Sequence, residues 1–163
     1  MKVICLCGKI GVGKTTYADG LLRQKNIVRL NRDELMLRLF GQYCETHDEM
    51  THKVFEYLKE KAVEICRAGA DVVLDNGGWK KSQRQEAKEF FESNGIAVEL
   101  HYVDVSKDRW EKQIAKRNKE VRQGRDSAYF VCEGLLKKCN DNFEVPTKDE
   151  IDVYVFDGKV VNK

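Results

Sequence analysis

The run Gly8-Lys9-Ile10-Gly11-Val12-Gly13-Lys14-Thr15 fills every fixed position of G-x-x-x-x-G-K-T, and its flanks leave few folds in which it can sit. Before it, Met1-Lys2-Val3-Ile4-Cys5-Leu6-Cys7 is a short apolar run that reads as a buried parallel strand. After it, Ala18, Leu21 and Leu22 fall at the spacing of a helix face. Strand, glycine loop and helix together aim backbone N–H groups and a helix dipole at an anion. Gly8, Gly11 and Gly13 let the backbone close around phosphates without Cβ clashes. The stretch from Gly8 to Thr16 is therefore the expected nucleoside triphosphate site. Lys14 is expected on the β and γ phosphates and the Thr15 hydroxyl on Mg²⁺.

The rest of the chain reads as alternating strands and helices, the pattern of a parallel sheet covered on both faces. Strands are expected at 26–30, 71–75, within 96–105 and at 151–156. Helices are expected after Asp33 up to Gly41, from about Thr46 to Ala68, from Lys80 to Ser93, from Ser106 to about Gln123 and over roughly Tyr129–Asp141. With 163 residues, one proline and no Ser/Gly-rich stretch, the chain is expected to be a single domain spanning 1–163.

Composition removes several functions. A net charge of +2 gives no global bias toward nucleic acid or membrane. No stretch approaches the roughly 18 apolar residues of a membrane helix, and the first apolar run stops at the glycine loop, so a cytoplasmic protein is expected. The six cysteines (Cys5, Cys7, Cys44, Cys66, Cys132, Cys139) form no C-x-x-C pair and are expected to be buried reduced thiols. His47, His52 and His101 show no metal-ligand spacing, so no structural metal is expected.

Phosphoryl transfer asks for a phosphate cradle, a metal, a carboxylate near the nucleophile and cations over the transferring group. Asp33 lies just past the second expected strand, on the side where parallel sheets bind ligands. It could accept the proton of an attacking hydroxyl, or it could N-cap the following helix. Asp75 ends the apolar strand Val72-Val73-Leu74 and is expected on the metal side, with Asn76 and Trp79 bordering the acceptor pocket. Residues 106–125 carry eight Lys/Arg against three acids, a local excess of five positive charges. This segment is expected to act as a lid (roughly 106–128) hinged at Gly124. Arg117, Arg122 and Arg125 are its candidate phosphate contacts.

These elements together resemble the P-loop kinases that include polynucleotide 5′-hydroxyl kinase, chloramphenicol phosphotransferase and zeta-toxin-like enzymes. They look most like the bacterial "AAA family ATPase / predicted kinase" group. The match is carried by Gly8 to Thr15, Leu30-Asn31-Arg32-Asp33-Glu34, Val72-Val73-Leu74-Asp75-Asn76 and Lys116-Arg117-Asn118. The resemblance implies a three-layer α/β/α fold with a five-stranded parallel sheet in the order 2-3-1-4-5 and a helical lid. It also implies ATP and Mg as cofactors, Asp33 as the general base, and Arg117 with one of Arg122 or Arg125 near the nucleotide. One departure stands out. Polynucleotide kinases carry an arginine three residues after the catalytic aspartate, where this chain has Met36, and the nearby Arg38 lies elsewhere on the helix.

The expected activity is ATP-dependent transfer of the γ-phosphoryl group to a hydroxyl on a small molecule or a nucleic-acid 5′-end. A nucleotide-dependent switch without an acceptor is the alternative. Residues 40–57 and 76–85 would shape the acceptor pocket, and nothing in them spells a substrate. Nucleic-acid binding without chemistry is disfavoured, because Trp110 is the lone aromatic in the basic segment and offers no stacking platform.

Overall fold

The apolar runs that read as strands form the centre of the molecule, and the helices between them cover both faces. A computed structural model describes residues 1–24, 26–42, 45–126 and 128–161. In chain order the elements are β1 (Lys2–Cys7), α1 (Lys14–Leu21), β2 (Ile27–Asn31), α2 (Arg32–Phe40), α3 (His47–Arg67) and β3 (Asp71–Gly77). They continue as α4 (Lys81–Ser93), β4 (Ala97–Asp104), α5 (Lys107–Arg122), α6 (Glu133–Asn142), β5 (Val153–Phe156) and β6 (Lys159–Val161). The sheet order is β2-β3-β1-β4-β5-β6. The expected 2-3-1-4-5 order is present, and those five strands run parallel.

A sixth strand was not expected. β6 pairs antiparallel with β5 across a two-residue turn, Asp157-Gly158, in which both residues have positive φ (49° and 82°). That is the backbone a tight hairpin needs, and Asp-Gly is a sequence that supplies it.

Successive β1 residues point to opposite layers, as strand geometry requires. Val3 and Cys5 join β3 residues Val72 and Leu74 in a core closed by Met36 of α2, Leu58 and Ala62 of α3, and Phe91 of α4. Ile4 and Leu6 face the other way, onto Val73 and Ala18 of α1. Each fully buried side chain of this kind contributes about 1.5–3 kcal/mol. Among the described residues no helix is long and apolar enough to cross a membrane.

Several local expectations are corrected. Asn31 rather than Asp33 caps α2: its Oδ1 accepts the Glu34 N–H at 2.8 Å. The last helix begins at Glu133, because the backbone before it is held extended by side chains of α5. Arg117 Nε donates to the Tyr129 carbonyl at 3.0 Å, while Asn118 bonds both the N–H and the carbonyl of Val131 at 2.8 Å. Cys5, Cys7, Cys66 and Cys139 are buried free thiols, whereas Cys132 is exposed. Cys44 lies outside the described residues. Burial pushes the Cys5 thiol up to about 12 and the Cys7 thiol up to about 11, so neither is a nucleophile near neutral pH.

Candidate nucleotide and acceptor site

The glycine loop leaves the carboxyl end of β1 and is fixed by contacts on three sides. Gly8 has a φ of 154°, and its N–H donates to the Gly77 carbonyl at 3.2 Å. A Cβ there would stand 2.3 Å from the Val103 carbonyl oxygen, a backbone atom that cannot step aside. Gly11 (φ 79°) is pressed by α5, where a Cβ would meet Ile114 Cδ1 at 2.3 Å. The glycines thus answer to close packing of the protein on itself as well as to any phosphate. Trp110 of α5 donates its indole N–H to the Ile10 carbonyl at 2.7 Å, and Val12 is buried among Val103, Val105 and Val155.

Gly13 caps α1 in a left-handed conformation (φ 93°). Thr15 and Thr16 lie exposed in the first turn of that helix. Lys9 reaches outward to Asn140 Oδ1 at 3.1 Å. Lys14 curls over the loop, its Nζ donating to the Gly8 and Lys9 carbonyls at 3.0 and 2.9 Å. Burial pulls its ammonium below the ordinary lysine range, against the attraction of Asp75 and Asp33.

Two carboxylates face this cradle from the ends of β3 and β2. Asp75 is 5% exposed, and its Oδ2 accepts from Thr15 Oγ1 at 3.1 Å and from Asn31 Nδ2 at 3.0 Å. Burial raises its pKa above the usual carboxylate range, with Lys14 and Thr15 opposing. A buried carboxylate and a threonine hydroxyl converging beside a lysine are hard oxygen donors of the kind Mg²⁺ takes. Asp33 sits in the first turn of α2, half-exposed, with Oδ1 held by Arg32 Nε and Nη2 at 3.1 and 2.9 Å.

The three arginines of the basic segment are not equivalent. Burial lowers the pKa of Arg117 against the opposing attraction of Asp33, Asp126 and Asp75, and its Nε is held by the Tyr129 carbonyl. Arg122 instead stacks on the Phe130 ring with Cζ 4.9 Å from its centroid. Arg125 bonds Gln123 Oε1 at the exposed end of the segment. The first half of α5 is not a loose cover, since Trp110 and Ile114 pack on the loop itself. Gly124 (φ 66°) follows the last turn of α5.

Asp33 and Ile10 open onto a cavity of about 710 Å³. Its walls come from Gln42, 47–56 and 76–86, as anticipated, with Asn76 and Trp79 among them. The stretch 129–142 also lines it, which no local pattern in the chain announces. Arg84, whose side chain is only 4% exposed, braces the Gly77–Trp79 wall. It donates to the Gly78 and Glu144 carbonyls at 3.0 and 2.9 Å and grips Glu150 through Nε and Nη2 at 3.0 and 3.2 Å.

Sequence reasoning missed Asn31, Arg32 and Arg84. Asn31 is the most readable of the three, because an Asn two residues before an acidic helix start is a capping signal. Arg84 gave none, because Glu144 and Glu150, which hold it against the wall, lie 60 and 66 residues away.

Residues 3–146 match a protein family described as AAA domain. No curated protein matches the sequence. Among solved structures, a sugar kinase from Janibacter sp. HTCC2649 is 15% identical with a TM-score of 0.65, covering 96% of this chain and 85% of its own. A gluconokinase from Sinorhizobium meliloti 1021 is 15% identical with a TM-score of 0.60, over 95% of this chain and 81% of its own. A chain of the Pnkp1/Rnl/Hen1 RNA repair complex is 20% identical with a TM-score of 0.68, over 86% of this chain and 43% of its own. At these identities the likeness is one of fold, and that fold is the three-layer P-loop kinase architecture.

Proposed function

The chain belongs to the AAA domain family, and from that premise we propose that it is an ATP- and Mg²⁺-dependent kinase acting on an alcohol. The observation that carries this reading is the convergence of Lys14, the Thr15–Asp75 pair and Asp33 at one end of the sheet, with Asp33 turned onto a separate cavity. A hydrolase needs room for a water, whereas this arrangement has space for a second substrate beside the phosphate site.

In this mechanism the loop from Gly8 to Thr16 and the Lys14 ammonium hold the triphosphate. Thr15 and Asp75 would hold the magnesium ion that offsets phosphate charge in such transfers. Asp33 accepts the proton of the acceptor hydroxyl as its oxygen bonds to the γ-phosphorus. The bond from that phosphorus to the β–γ bridging oxygen breaks, and ADP leaves. Arg117 supplies positive charge over the transferring group, and because Trp110 and Ile114 pin the first half of α5 to the loop, any closing movement belongs to its second half. Arg122 and Arg125 could join only after such a movement.

The test is ADP release with Mg-ATP against a panel of hydroxyl acceptors. Acceptor-dependent release that falls about 10²–10⁴-fold in Asp33→Asn, with ATP affinity unchanged, is the expected result. Full activity in Asp33→Asn would remove the base assignment. Nucleotide held or hydrolysed with no response to any acceptor would mark a nucleotide switch instead.

A further inference from the structure

We infer that the acceptor is a small uncharged polyhydroxyl molecule, of monosaccharide to nucleoside size, seated in the cavity beyond Asp33. The inference rests on the kinase reading above and narrows it. Charge is the first argument. The cavity is lined by three fixed cations (Arg32, Lys80, Lys138) and four acids (Asp33, Asp48, Glu56, Glu86). Most of these are already paired within the protein. Lys138 Nζ bonds both Asp48 oxygens at 2.9 and 3.2 Å, and Arg32 is spent on Asp33. Glu56 and Glu86 share the 2%-exposed Lys59 at 2.8 and 3.4 Å.

A polynucleotide needs a track of cations free to replace condensed counterions. Here the lysines that make α5 basic, such as Lys112, Lys116 and Lys119, are exposed to solvent and do not line the cavity. With Arg32 and Lys138 already paired, an anionic acceptor would find Lys80 as the one lining cation without an ion pair among the described residues. An uncharged one meets no net penalty.

The remaining lining matches that conclusion. Thr51 Oγ1 is buried without a hydrogen-bond partner, and an unmet buried hydroxyl is worth filling. His47, His52, Asn76, Gln83 and Asn142 add further donors and acceptors to the lining. Between them stand the apolar surfaces of Phe55, Trp79, Tyr129 and Leu135, broad enough to take the apolar face of a ring. Hydroxyl-matching groups on aromatic walls suit a sugar or nucleoside better than a simple alcohol. The volume of about 710 Å³ is that of a small-molecule site. Gln42 bounds it by bonding the Ala128 carbonyl at 2.8 Å and the Phe130 N–H at 3.2 Å, which ties the end of α2 to the stretch before α6.

The experiment measures ADP release with glucose, ribose, adenosine and cytidine as uncharged acceptors. It sets them against glucose 6-phosphate, adenosine 3′-monophosphate and a 5′-hydroxyl decanucleotide. The expected result is a kcat/KM at least about 10-fold higher for an uncharged acceptor than for its charged counterpart. That rate should change less than about twofold between 50 and 200 mM salt. Thr51→Val, which keeps the shape and removes the hydroxyl, should raise the KM of that acceptor about 5- to 10-fold with kcat held. Preference for the decanucleotide or for a phosphorylated acceptor, with a steep loss of rate in salt, would overturn the inference. If Asp33→Asn still abolished that activity, the kinase reading would survive it. No acceptor-dependent ADP release across the panel would overturn both.

Discussion

At the phosphate end of the crevice, one unbroken stretch from Gly8 to Thr16 makes the cradle, and most of its shape is backbone. At the end proposed for the acceptor, Gln42 and residues from 32–33, 47–56, 76–86 and 129–142 meet around one cavity, and its character is set by side chains. The first end is rigid because its glycines are hemmed in by Val103 and Ile114 and its carbonyls are taken by Trp110 and Lys14. The second depends on long-range pairs such as Lys138–Asp48 and Arg84–Glu150.

Arg84 braces the wall between the two ends, so removing it tests their independence most severely. Arg84→Met leaves Glu150 without its guanidinium partner and takes one donor from each of the Gly78 and Glu144 carbonyls, and should cost about 3–5 kcal/mol in urea unfolding. Burial alone would raise the Glu150 pKa, but Arg84 and Thr147 hold it at about 2. A depressed carboxylate stabilises the fold above its ordinary value near 4.5 and loses that contribution as pH falls toward 2. Acid unfolding of the wild type should therefore be steep in that window, and flatter in Arg84→Met.

Lys14→Ala should act on one end alone. We expect a loss of roughly 10²–10³ in turnover, with the thermal midpoint shifted little. A large fall in midpoint would show that its bonds to the Gly8 and Lys9 carbonyls hold the loop even without nucleotide.

Asn31 joins the ends, capping the helix of Asp33 with one atom and bonding Asp75 with the other. Asn31→Ala should destabilise by about 1–2 kcal/mol. Asn31→Ser keeps the cap and loses the Asp75 bond, so it should recover most of the stability but not the wild-type Mg²⁺ dependence of turnover. Wild-type magnesium dependence in Asn31→Ser would separate the ends again.

The smallest effect concerns His101, 4% exposed behind the loop. Its Nδ1 meets Tyr17 of α1 at 2.9 Å and its Nε2 meets Glu99 at 3.1 Å. Burial lowers its pKa, with Glu99 and Asp152 opposing and Lys2 assisting. The folded state therefore prefers the neutral ring, and stability should be full above pH 6.5 and decline as pH falls below it. His101→Gln should remove that slope in a series of thermal melts.

The sequence alone displayed the glycine motif, the alternation of strands and helices and the two candidate carboxylates, while the strand order was what the resemblance to P-loop kinases implied. Each of the first three is a local pattern: a contiguous glycine motif, apolar runs of strand length, and acids at strand ends. It missed β6, because a three-residue strand has too little pattern and the Asp157-Gly158 turn was the available sign. Asp33 could be placed at the start of a helix but not distinguished from a cap, a question that Asn31 answered through a bond only the folded chain displays. Tertiary structure decided how the three arginines differ, because 3.6-residue periodicity turns Arg117 and Arg122 to different neighbours, Tyr129 and Phe130. It also decided the cavity proposed for the acceptor, whose lining runs from Ile10 to Asn142 in sequence. Local propensity carries no information about which distant charges pair, and that pairing is what leaves the cavity without net charge to offer.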